Sequence, residues 1–349
     1  MISRGASGWA WAGLVAASAA VSATLEAAGF PAALLLGPML VAIVFGSRGA
    51  TIGVPRWLFL GAQGVVGCLI ARSVTGAIVT SVVRNWALML VIVLTTVVAS
   101  AVVGWLLARF GHLGASTAAW GSSPGAAAAM TAMSEDYGAD PRLVAVMQYA
   151  RVLIVVMTAS VVARLLLGVT AQHAPAAPTT AALPPLLPFA ATLLVALGGT
   201  WFGRRLRVPS GALLVPLVAA AVLHGSGRLE ITLPVWLLDV TYASIGWYIG
   251  LTFTRETVRL AARAFPQLLA ATAALIALCA ASGWMLAALL RVDPLTAYLA
   301  TTPGGLDSVA IIALGSGANV SLVLAIQTLR VLVVIVTGPP LAKLIARYA

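Results

Sequence analysis

Residues 124–156 and 303–335 are two copies of one segment, and each copy places an arginine inside an otherwise apolar stretch. The copies align without a gap at an offset of 179 positions (124 to 303). An arginine in hydrocarbon costs about 2.5 kcal/mol or more, so a chain that carries this cost twice at equivalent places is expected to use it. The matched positions are Pro124-Gly125 with Pro303-Gly304, Gly138-Ala139 with Gly317-Ala318, and Gln148-x-x-Arg151 with Gln327-x-x-Arg330.

The composition is typical of a membrane protein that crosses the bilayer many times. Of the 349 residues, 61% are hydrophobic and 8% are charged, and the mean hydropathy is +1.06. Apolar runs of about 20 residues recur along the chain, each long enough to cross roughly 30 Å of hydrocarbon. A soluble protein could not bury this much apolar surface, so we predict an all-α polytopic membrane protein.

Six apolar segments can be distinguished in each half of the chain. They span about 8–28, 30–47, 57–75, 85–109, 115–134 and 142–167, and then about 184–203, 208–225, 235–253, 264–290, 295–314 and 320–345. We predict a first membrane repeat at 1–168, a linker at 169–183 and a second membrane repeat at 184–349. The first segment resembles a signal peptide, but its counterpart in the second half is internal, so we interpret it as a span.

The distribution of lysine and arginine indicates how many segments cross the membrane. If the fifth segment of each half enters and leaves on one side, thirteen of these residues become cytoplasmic and five become external. This sorting agrees with the positive-inside rule, whereas six full crossings per half would mix the charges. We therefore predict five crossings plus one re-entrant or broken helix per half, cytoplasmic termini, and halves of inverted orientation. Inverted repeats with interrupted helices are typical of secondary transporters.

A proline–glycine pair interrupts the fifth segment of each half. Proline removes a backbone donor and disfavours helix in the residue before it, and the preceding hydroxyls can satisfy freed backbone groups or a ligand. The interruption is either a simple proline kink or a paired re-entrant site, in which a restarting helix points free N–H groups into a sheltered cavity. The candidate binding residues here are Ser122, Ser123, Pro124, Gly125, Thr301, Thr302, Pro303, Gly304, Gly305 and Ser308.

Two glutamine–arginine pairs complete the predicted binding site. Gln148 and Gln327 precede Arg151 and Arg330 by three residues, which places each pair on one helix face. Each pair offers a guanidinium fork and an amide roughly 13–15 Å inside its span. Three interpretations stay open: the arginines tie down carbonyls of a broken helix, they flank a central site and bind an anion, or they snorkel to an interface.

Asp307 is the candidate ion-coupling residue, because its counterpart in the first half is Ala128 and the acid is unique to one half. An intramembrane carboxylate is a functional candidate, and three roles stay open: pairing with Arg330, binding a coupling cation, or carrying a proton. A second acidic group is interpreted as a wetted loop, with a cytoplasmic gate or cation-access role as the alternative. It comprises Glu135, Asp136 and Asp140.

The sequence lacks the patterns of a metal, cofactor or catalytic site. Its three histidines are scattered, and no phosphate loop or nucleophile elbow is present. Cys68 and Cys279 form no Cys-x-x-Cys pair and are interpreted as small apolar filler. The net charge of +11 comes from residues spread between apolar spans, with no room for a DNA-binding domain. We expect no enzyme activity, metal, cofactor or nucleic-acid partner.

Five motifs carry a resemblance to a known family. They are Leu36-Gly-Pro-Met-Leu40, Trp120-Gly-Ser-Ser-Pro-Gly125, Gly246-Trp-Tyr-Ile-Gly250, Thr301-Thr-Pro-Gly-Gly-Leu-Asp-Ser-Val-Ala310 and Gly317-Ala-Asn followed by Gln327-x-x-Arg330. They resemble the AbrB family of duplicated integral membrane proteins, linked to regulation of the aidB gene and distinct from the soluble DNA-binding factor of the same name. The resemblance spans nearly the whole chain and implies a bacterial inner-membrane protein. Family members are labelled regulators of gene expression or ammonia monooxygenases, and the second label conflicts with the missing metal ligands.

We predict a transporter-like protein that moves a small anionic solute through a midplane site between the repeats. The alternative is a membrane-embedded sensor or regulator that affects gene expression through a partner, for which only short basic loops such as 255–263 offer a contact surface. The expected partners are the lipid bilayer and a small-molecule solute. Self-association into a homo-oligomer is left open.

Overall fold

The computed structural model is helical in the part of the chain that it describes, and no β-strand occurs there. The described residues are 4–348 without 31, 73, 75–79, 81–82, 112, 126–129, 131–133, 135–136, 167–184, 208–210, 257–258 and 260–264. The all-α prediction is confirmed for these residues. The predicted linker at 169–183 and the acidic residues Glu135 and Asp136 lie outside them.

The described helices are as follows. In chain order they are α1 (Arg4–Ala27), α2 (Ala33–Ser47), α3 (Arg56–Ala71), α4 (Trp86–Phe110), α5 (Ala115–Ser122), α6 (Pro141–Val161), α7 (Leu186–Arg205), α8 (Gly211–Gly225), α9 (Val235–Gly250), α10 (Phe265–Leu290), α11 (Pro294–Thr301), α12 (Leu306–Gly315) and α13 (Val320–Tyr348). A π-helical turn, Val162–Leu166, continues α6.

The helix bounds recur with the spacing found in the sequence. Helices α3 and α9 begin and end 179 residues apart, from 56 to 235 and from 71 to 250. Helices α5 and α11 keep the same offset, from 115 to 294 and from 122 to 301. Each proline–glycine pair therefore follows an equivalent eight-residue helix. The relative direction of the two halves across a membrane stays a prediction.

Five described helices are long and apolar enough to cross a membrane, and a bent pair within α13 would make a sixth. Helices α2, α3 and α8 are apolar but have 15 or 16 residues, about 22–24 Å at 1.5 Å per residue. These helices fit a multi-pass membrane protein, whereas the total of ten crossings stays a prediction. The five spans are Gly8–Ala27, Trp86–Phe110, Pro141–Arg164, Leu186–Arg205 and Pro266–Leu290.

Large apolar side chains on the outside of the helices fit the same conclusion. Leu194 and Val218 are exposed by 76% and 57% in the middle of their helices. Lipid tails are as apolar as these side chains, so such surfaces suit a bilayer better than water. Trp57, Trp86 and Trp236 are exposed at the first or second position of their helices, where tryptophans typically meet the membrane–water interface.

One compact unit contains the first three helices of each half. Within it, α2 packs on α1 and α9, and α8 packs on α3 and α7. Glycines bring the helix backbones together: a Cβ at Gly67 would lie 2.4 Å from the Leu213 carbonyl oxygen, and a Cβ at Gly246 would lie 2.6 Å from the Leu35 carbonyl oxygen. Small residues allow this close approach between membrane helices. The unit comprises Met1–Thr80, Ala163–Thr254 and Ala310–Ser321.

Adding one methyl group at Gly246 is expected to destabilise this unit. The Gly246→Ala side chain would collide with the α2 backbone at Leu35 and Met39, and overpacking typically costs about 1–3 kcal/mol. Gly198→Ala is the matched control, because a Cβ there meets nothing within 4 Å and alanine favours a helix by about 1 kcal/mol. In thermal unfolding of the purified variants, Gly246→Ala should melt below the parent protein and Gly198→Ala at or above it. Equal melting temperatures would contradict the close packing.

A second compact unit contains the later helices of both halves. Both proline–glycine pairs and both glutamine–arginine pairs lie in it. Each unit thus contains helices from both halves of the chain. The division into membrane repeats at 1–168 and 184–349 stays a prediction. The second unit comprises Ser81–Val162, Arg255–Val309 and Leu322–Ala349.

Candidate functional site

Each proline–glycine pair ends a short helix and opens a non-helical segment. Helix α5 ends at Ser122, and Ser123 is extended with φ −60° and ψ 126°. Helix α11 ends at Thr301, Thr302 is extended with φ −56° and ψ 138°, and α12 begins only at Leu306. A residue before proline is pushed out of the helical region, so carbonyls of the preceding turn lose their helical partners. The residues between α11 and α12 therefore form a break rather than a simple kink.

In the first half, Gln148 and Arg151 supply donors to the carbonyls at the break. The Gln148 Nε2 donates to the carbonyl oxygens of Trp120 at 2.9 Å and Ser123 at 3.0 Å. The Arg151 Nη1 donates to the carbonyl oxygens of Ser122 at 3.0 Å and Ser123 at 2.9 Å. The Arg151 Nη2 donates to Gln148 Oε1 at 2.6 Å, so the amide also orients the guanidinium.

The second half repeats this arrangement. The Gln327 Nε2 donates to the carbonyl oxygens of Leu299 at 2.9 Å and Thr302 at 3.1 Å. The Arg330 Nη1 donates to the Thr302 carbonyl oxygen at 2.7 Å. The Arg330 Nη2 donates to the Gly304 carbonyl oxygen at 3.1 Å and to Gln327 Oε1. We call each glutamine–arginine pair with the carbonyls it holds a clamp.

The hydrogen bonds of the clamps distinguish between the three interpretations of Arg151 and Arg330. In both clamps the arginine donates hydrogen bonds to carbonyl oxygens of a broken helix, as the first interpretation predicts. Snorkelling does not fit, because Arg151 and Arg330 are exposed by only 3% and 2%. Anion binding requires guanidinium N–H donors that the clamps do not use.

Each guanidinium keeps donors that its clamp does not use. A guanidinium has five N–H donors, and each clamp uses three of them. The Nε atoms of Arg151 and Arg330 are buried without a hydrogen-bond partner among the described residues. Neither arginine pairs with a described carboxylate, a set that does not include the Asp307 side chain. An unused buried donor typically costs about 1–3 kcal/mol, so the site is suited to an added acceptor.

The break of each half packs against the arginine-bearing helix of the other half. A Cβ at Gly304 would lie 3.0 Å from Val155 Cγ1 on α6. A Cβ at Gly338 on α13 would lie 3.6 Å from the Trp120 ring beside the first break. The two guanidinium groups are close enough to repel one another. The second unit thus gathers two positive charges near both breaks.

The two threonines at the second break have different surroundings. The Thr301 hydroxyl donates to the Cys279 carbonyl oxygen at 2.9 Å, which ties α11 to α10. The Thr302 hydroxyl is buried beside the Tyr298 hydroxyl, but it has no partner in hydrogen-bonding geometry within the described part of the chain. Of the two predicted hydroxyl ligands, Thr302 is therefore the one whose O–H is not already donated to a described carbonyl oxygen.

Cys279 is a residue of this site that the sequence analysis treated as filler. It is fully buried on α10, within electrostatic reach of both Arg151 and Arg330. At the 179-residue offset its counterpart is Ser100, which is also buried. A small polar side chain at this position in both copies is a signal that could have identified it.

The other predicted residues occupy varied places. Asp307 is the second residue of α12, but its side chain lies outside the described part, so its coupling role stays a prediction. Asp140 caps α6, because its Oδ1 accepts from the backbone N–H groups of Arg142 at 2.9 Å and Leu143 at 3.4 Å. This cap accounts for an acid at position 140 without a gate. The remaining break residues are buried or half-buried: Ser122, Ser123, Pro124, Gly125, Pro303, Gly304, Gly305 and Ser308.

Two adjoining cavities lead to the first clamp. The inner cavity, of about 20 Å³, is lined by Arg151, Met147 and residues of α4 and α10. The outer cavity is an open cleft of about 290 Å³ between α4 and α10. Val103, Leu107 and Ala271 line both, so the cleft continues into the inner cavity.

Comparisons with known proteins find relatives along nearly the whole chain. The model of a family described as "Transition state regulatory protein AbrB" matches residues 34–346. A protein named "Putative regulator AbrB" from Escherichia coli (strain K12) is 47% identical over 343 residues, covering 97% of this chain and 97% of the relative. "Uncharacterized protein YhjN" from Bacillus subtilis (strain 168) is 25% identical over 304 residues, covering 83% of this chain and 79% of the relative. No solved structure matches at a significant level.

Proposed function

This chain belongs to the AbrB family, and we propose that it is a transporter-like protein of the bacterial inner membrane that binds and moves a small anionic solute. The solute binds near the two breaks, between the clamps of Arg151 and Arg330. The protein moves the solute by secondary transport and does not convert it chemically.

The observation that carries the proposal is the surplus of buried positive charge and unused donors. Two buried guanidinium groups lie within electrostatic range of each other, and the Nε–H of each has no acceptor in the described residues. A buried charge is costly unless it is paired and hydrogen-bonded. A carboxylate or similar anion supplies both the charge and the acceptor oxygens. The clamp role and the binding role therefore reside in the same two side chains.

The proposed transport architecture consists of two inverted repeats, each with five crossings and one broken helix, and with both termini in the cytoplasm. Recurrence of the helix bounds and the sorting of lysine and arginine support this arrangement. Arg151 and Arg330 are each the eleventh residue of their helix (141 to 151 and 320 to 330). At 1.5 Å per residue they lie about 15 Å from the helix start, half of a 30 Å membrane core.

Asp307 is the proposed coupling residue. It stands two residues after the second break, and the first half has Ala128 at the equivalent position. A cation or proton taken up by this carboxylate would link movement of the solute to an ion gradient.

Uptake by the reconstituted protein tests the function. Proteoliposomes would be exposed to labelled acetate, succinate or phosphate and, as the opposite charge, to methylammonium. At least one of the anions should show saturable uptake and raise the melting temperature of the purified protein, and methylammonium should do neither. Uptake of methylammonium alone, or no response to any anion at millimolar concentration, would overturn the proposal.

Removing the Thr302 hydroxyl is expected to weaken anion binding without destabilising the protein. Thr302→Val deletes a hydroxyl that has no hydrogen-bond partner among the described residues, so the free energy of unfolding should change by less than about 0.5 kcal/mol. Loss of one hydrogen bond to a charged ligand should raise its Kd about tenfold. Isothermal titration calorimetry and thermal unfolding measure the two effects.

The matched control for this variant is the neighbouring threonine. Thr301→Val deletes a hydroxyl that is bonded to the Cys279 carbonyl oxygen, so it should lower stability by about 1 kcal/mol and leave the Kd unchanged. The reverse pattern in the two variants would remove Thr302 from the binding site.

Regulation of gene expression is the second candidate function, and the names of the family and of the Escherichia coli relative favour it. A regulator needs an exposed contact surface. Arg142 and Glu256 form an ion pair at 3.3 Å with side chains exposed by 76% and 79%, and they offer such a surface. Neutralising both residues should impair regulation and spare anion uptake if the protein acts through a partner.

A further inference from the structure

We propose that the solute is an amphipathic organic anion, whose carboxylate binds at Arg151 and whose apolar tail lies in the cleft between α4 and α10. This inference rests on the function proposed above and names the class of its substrate. Three observations carry it: an open apolar cleft, an inner end with an unused buried donor, and a difference between the two halves of the chain.

The cleft has the size and lining of a site for a small apolar tail. Its volume of about 290 Å³ is close to the lower end of the ~300–1,000 Å³ typical of small-molecule sites. Its walls are alanine, leucine, valine and phenylalanine side chains, and the polar Gln267 lies at the same end as Phe110. Phe110 and Leu106 are exposed by 73% and 42% at the rim, so the cleft is open to the outside of the unit.

The inner end of the cleft is polar and leads to the first clamp. Arg151 lines the inner cavity, and its buried Nε–H is one of the donors left unused by the clamp. The inner cavity of about 20 Å³ has room for about one water. A carboxylate at this place requires the flexible side chain of Met147, which packs beside Gly121, to move aside. From Gln267 to Leu275 the two cavities follow eight residues of α10, about 12 Å.

Two alanines of the cleft wall have larger equivalents in the other half. At the 179-residue offset, Ala270 and Ala271 on α10 correspond to Val91 and Ile92 on α4. Ile92 is fully buried, so its side chain occupies space that an alanine would leave open. Both halves thus have a clamp, and the described cleft adjoins the clamp of Arg151. A solute with a charged end and an apolar end would bind there in one orientation.

A series of straight-chain carboxylates tests the substrate class. Propionate, butyrate, hexanoate and octanoate would be titrated into the protein in phosphatidylcholine nanodiscs, with empty nanodiscs subtracted. Affinity should rise by up to about fourfold per added methylene until the cleft is full. Hexyltrimethylammonium, which has a tail but the opposite charge, should not bind.

A variant that fills the cleft tests whether the increase of affinity with chain length arises from binding in the cleft. Ala274 lines the cleft but not the inner cavity, so Ala274→Leu should reduce the ratio of octanoate to propionate affinity at least about tenfold. Ala273→Leu is the matched control, since Ala273 is the neighbouring exposed residue of the same helix and lies outside both cavities. It should leave the whole series unchanged.

The outcomes separate this inference from the proposed function. Equal affinities for propionate and octanoate, both still weakened by Thr302→Val, would leave anion transport in place and overturn the amphipathic class. Displacement of octanoate by phosphatidylglycerol in the nanodisc would assign the cleft to a lipid and also overturn it. Failure of every carboxylate in the series to bind would overturn the amphipathic class, whereas loss of succinate and phosphate uptake as well would remove anion transport.

Discussion

Replacing Arg330 by methionine is expected to destabilise the protein by several kcal/mol as well as to abolish anion binding. The variant leaves the Gly304 carbonyl oxygen and the Gln327 side-chain oxygen buried without this donor, and the Thr302 carbonyl oxygen keeps only its bond from Gln327. Each unsatisfied buried acceptor typically costs about 1–3 kcal/mol. Because whole proteins are stable by only about 5–15 kcal/mol, little folded protein should survive extraction in detergent.

The melting temperature and the monodisperse yield after extraction measure this effect. Arg142→Met is the matched control, because the exposed Arg142–Glu256 ion pair is of a kind worth only about 0–1 kcal/mol. Arg330→Lys should fall between the two, since an ammonium keeps the charge but cannot copy the fork that holds three acceptors. A well-folded Arg330→Met protein with a parental melting temperature would show that the clamp is not needed for stability.

A carboxylate introduced at Cys279 is expected to take the place of the solute. The side chain lies within electrostatic reach of both Arg151 and Arg330, so Cys279→Asp supplies the missing negative charge from within the protein. The folded protein should be retained, because the new charge is paired as it forms. The Kd for anions should rise about 100-fold or more, which isothermal titration calorimetry measures.

Two controls isolate the charge from the substitution. Cys279→Asn has nearly the same shape without the charge, so it should leave anion affinity within about threefold of the parent. Cys68→Asp places the same charge in another buried cysteine position, beside the Thr192 carbonyl oxygen rather than an arginine. That variant should unfold, because an unpaired carboxylate in an apolar interior is costly. Unchanged anion binding in a folded Cys279→Asp protein would mean that the two arginines do not form the anion site.

Much of the local structure could be predicted from the sequence. Proline and glycine at 124–125 and 303–304 marked the breaks, and the offset of 179 residues predicted equivalent helices in the two halves. Backbone preferences and hydropathy act over a few residues, which is why these features are readable. The gathering of the later helices of both halves into one compact unit depends on contacts between residues far apart in the chain. No local pattern specifies such contacts.

The site was predictable in its residues but not in their partners. Spacing placed Gln148 and Arg151 on one helix face, yet it left open whether the arginine holds carbonyls or awaits an anion. The difference between Thr301 and Thr302 arises from packing, because Thr301 happens to face the Cys279 carbonyl on α10. The cleft likewise forms where α4 and α10 meet, so it could not be predicted from either stretch of sequence alone.

The clamp has a consequence for how the chain is made. A ribosome adding about 5–20 residues per second needs roughly 9–36 s to proceed from Arg151 to Arg330, 179 residues later. Throughout that interval the first guanidinium must be kept out of lipid without help from the second half. Its hydrogen-bond acceptors in the described part of the chain lie within 29 residues upstream, at Ser122, Ser123 and Gln148. The nascent first half therefore carries its own shelter for Arg151 before the rest of the protein is synthesised.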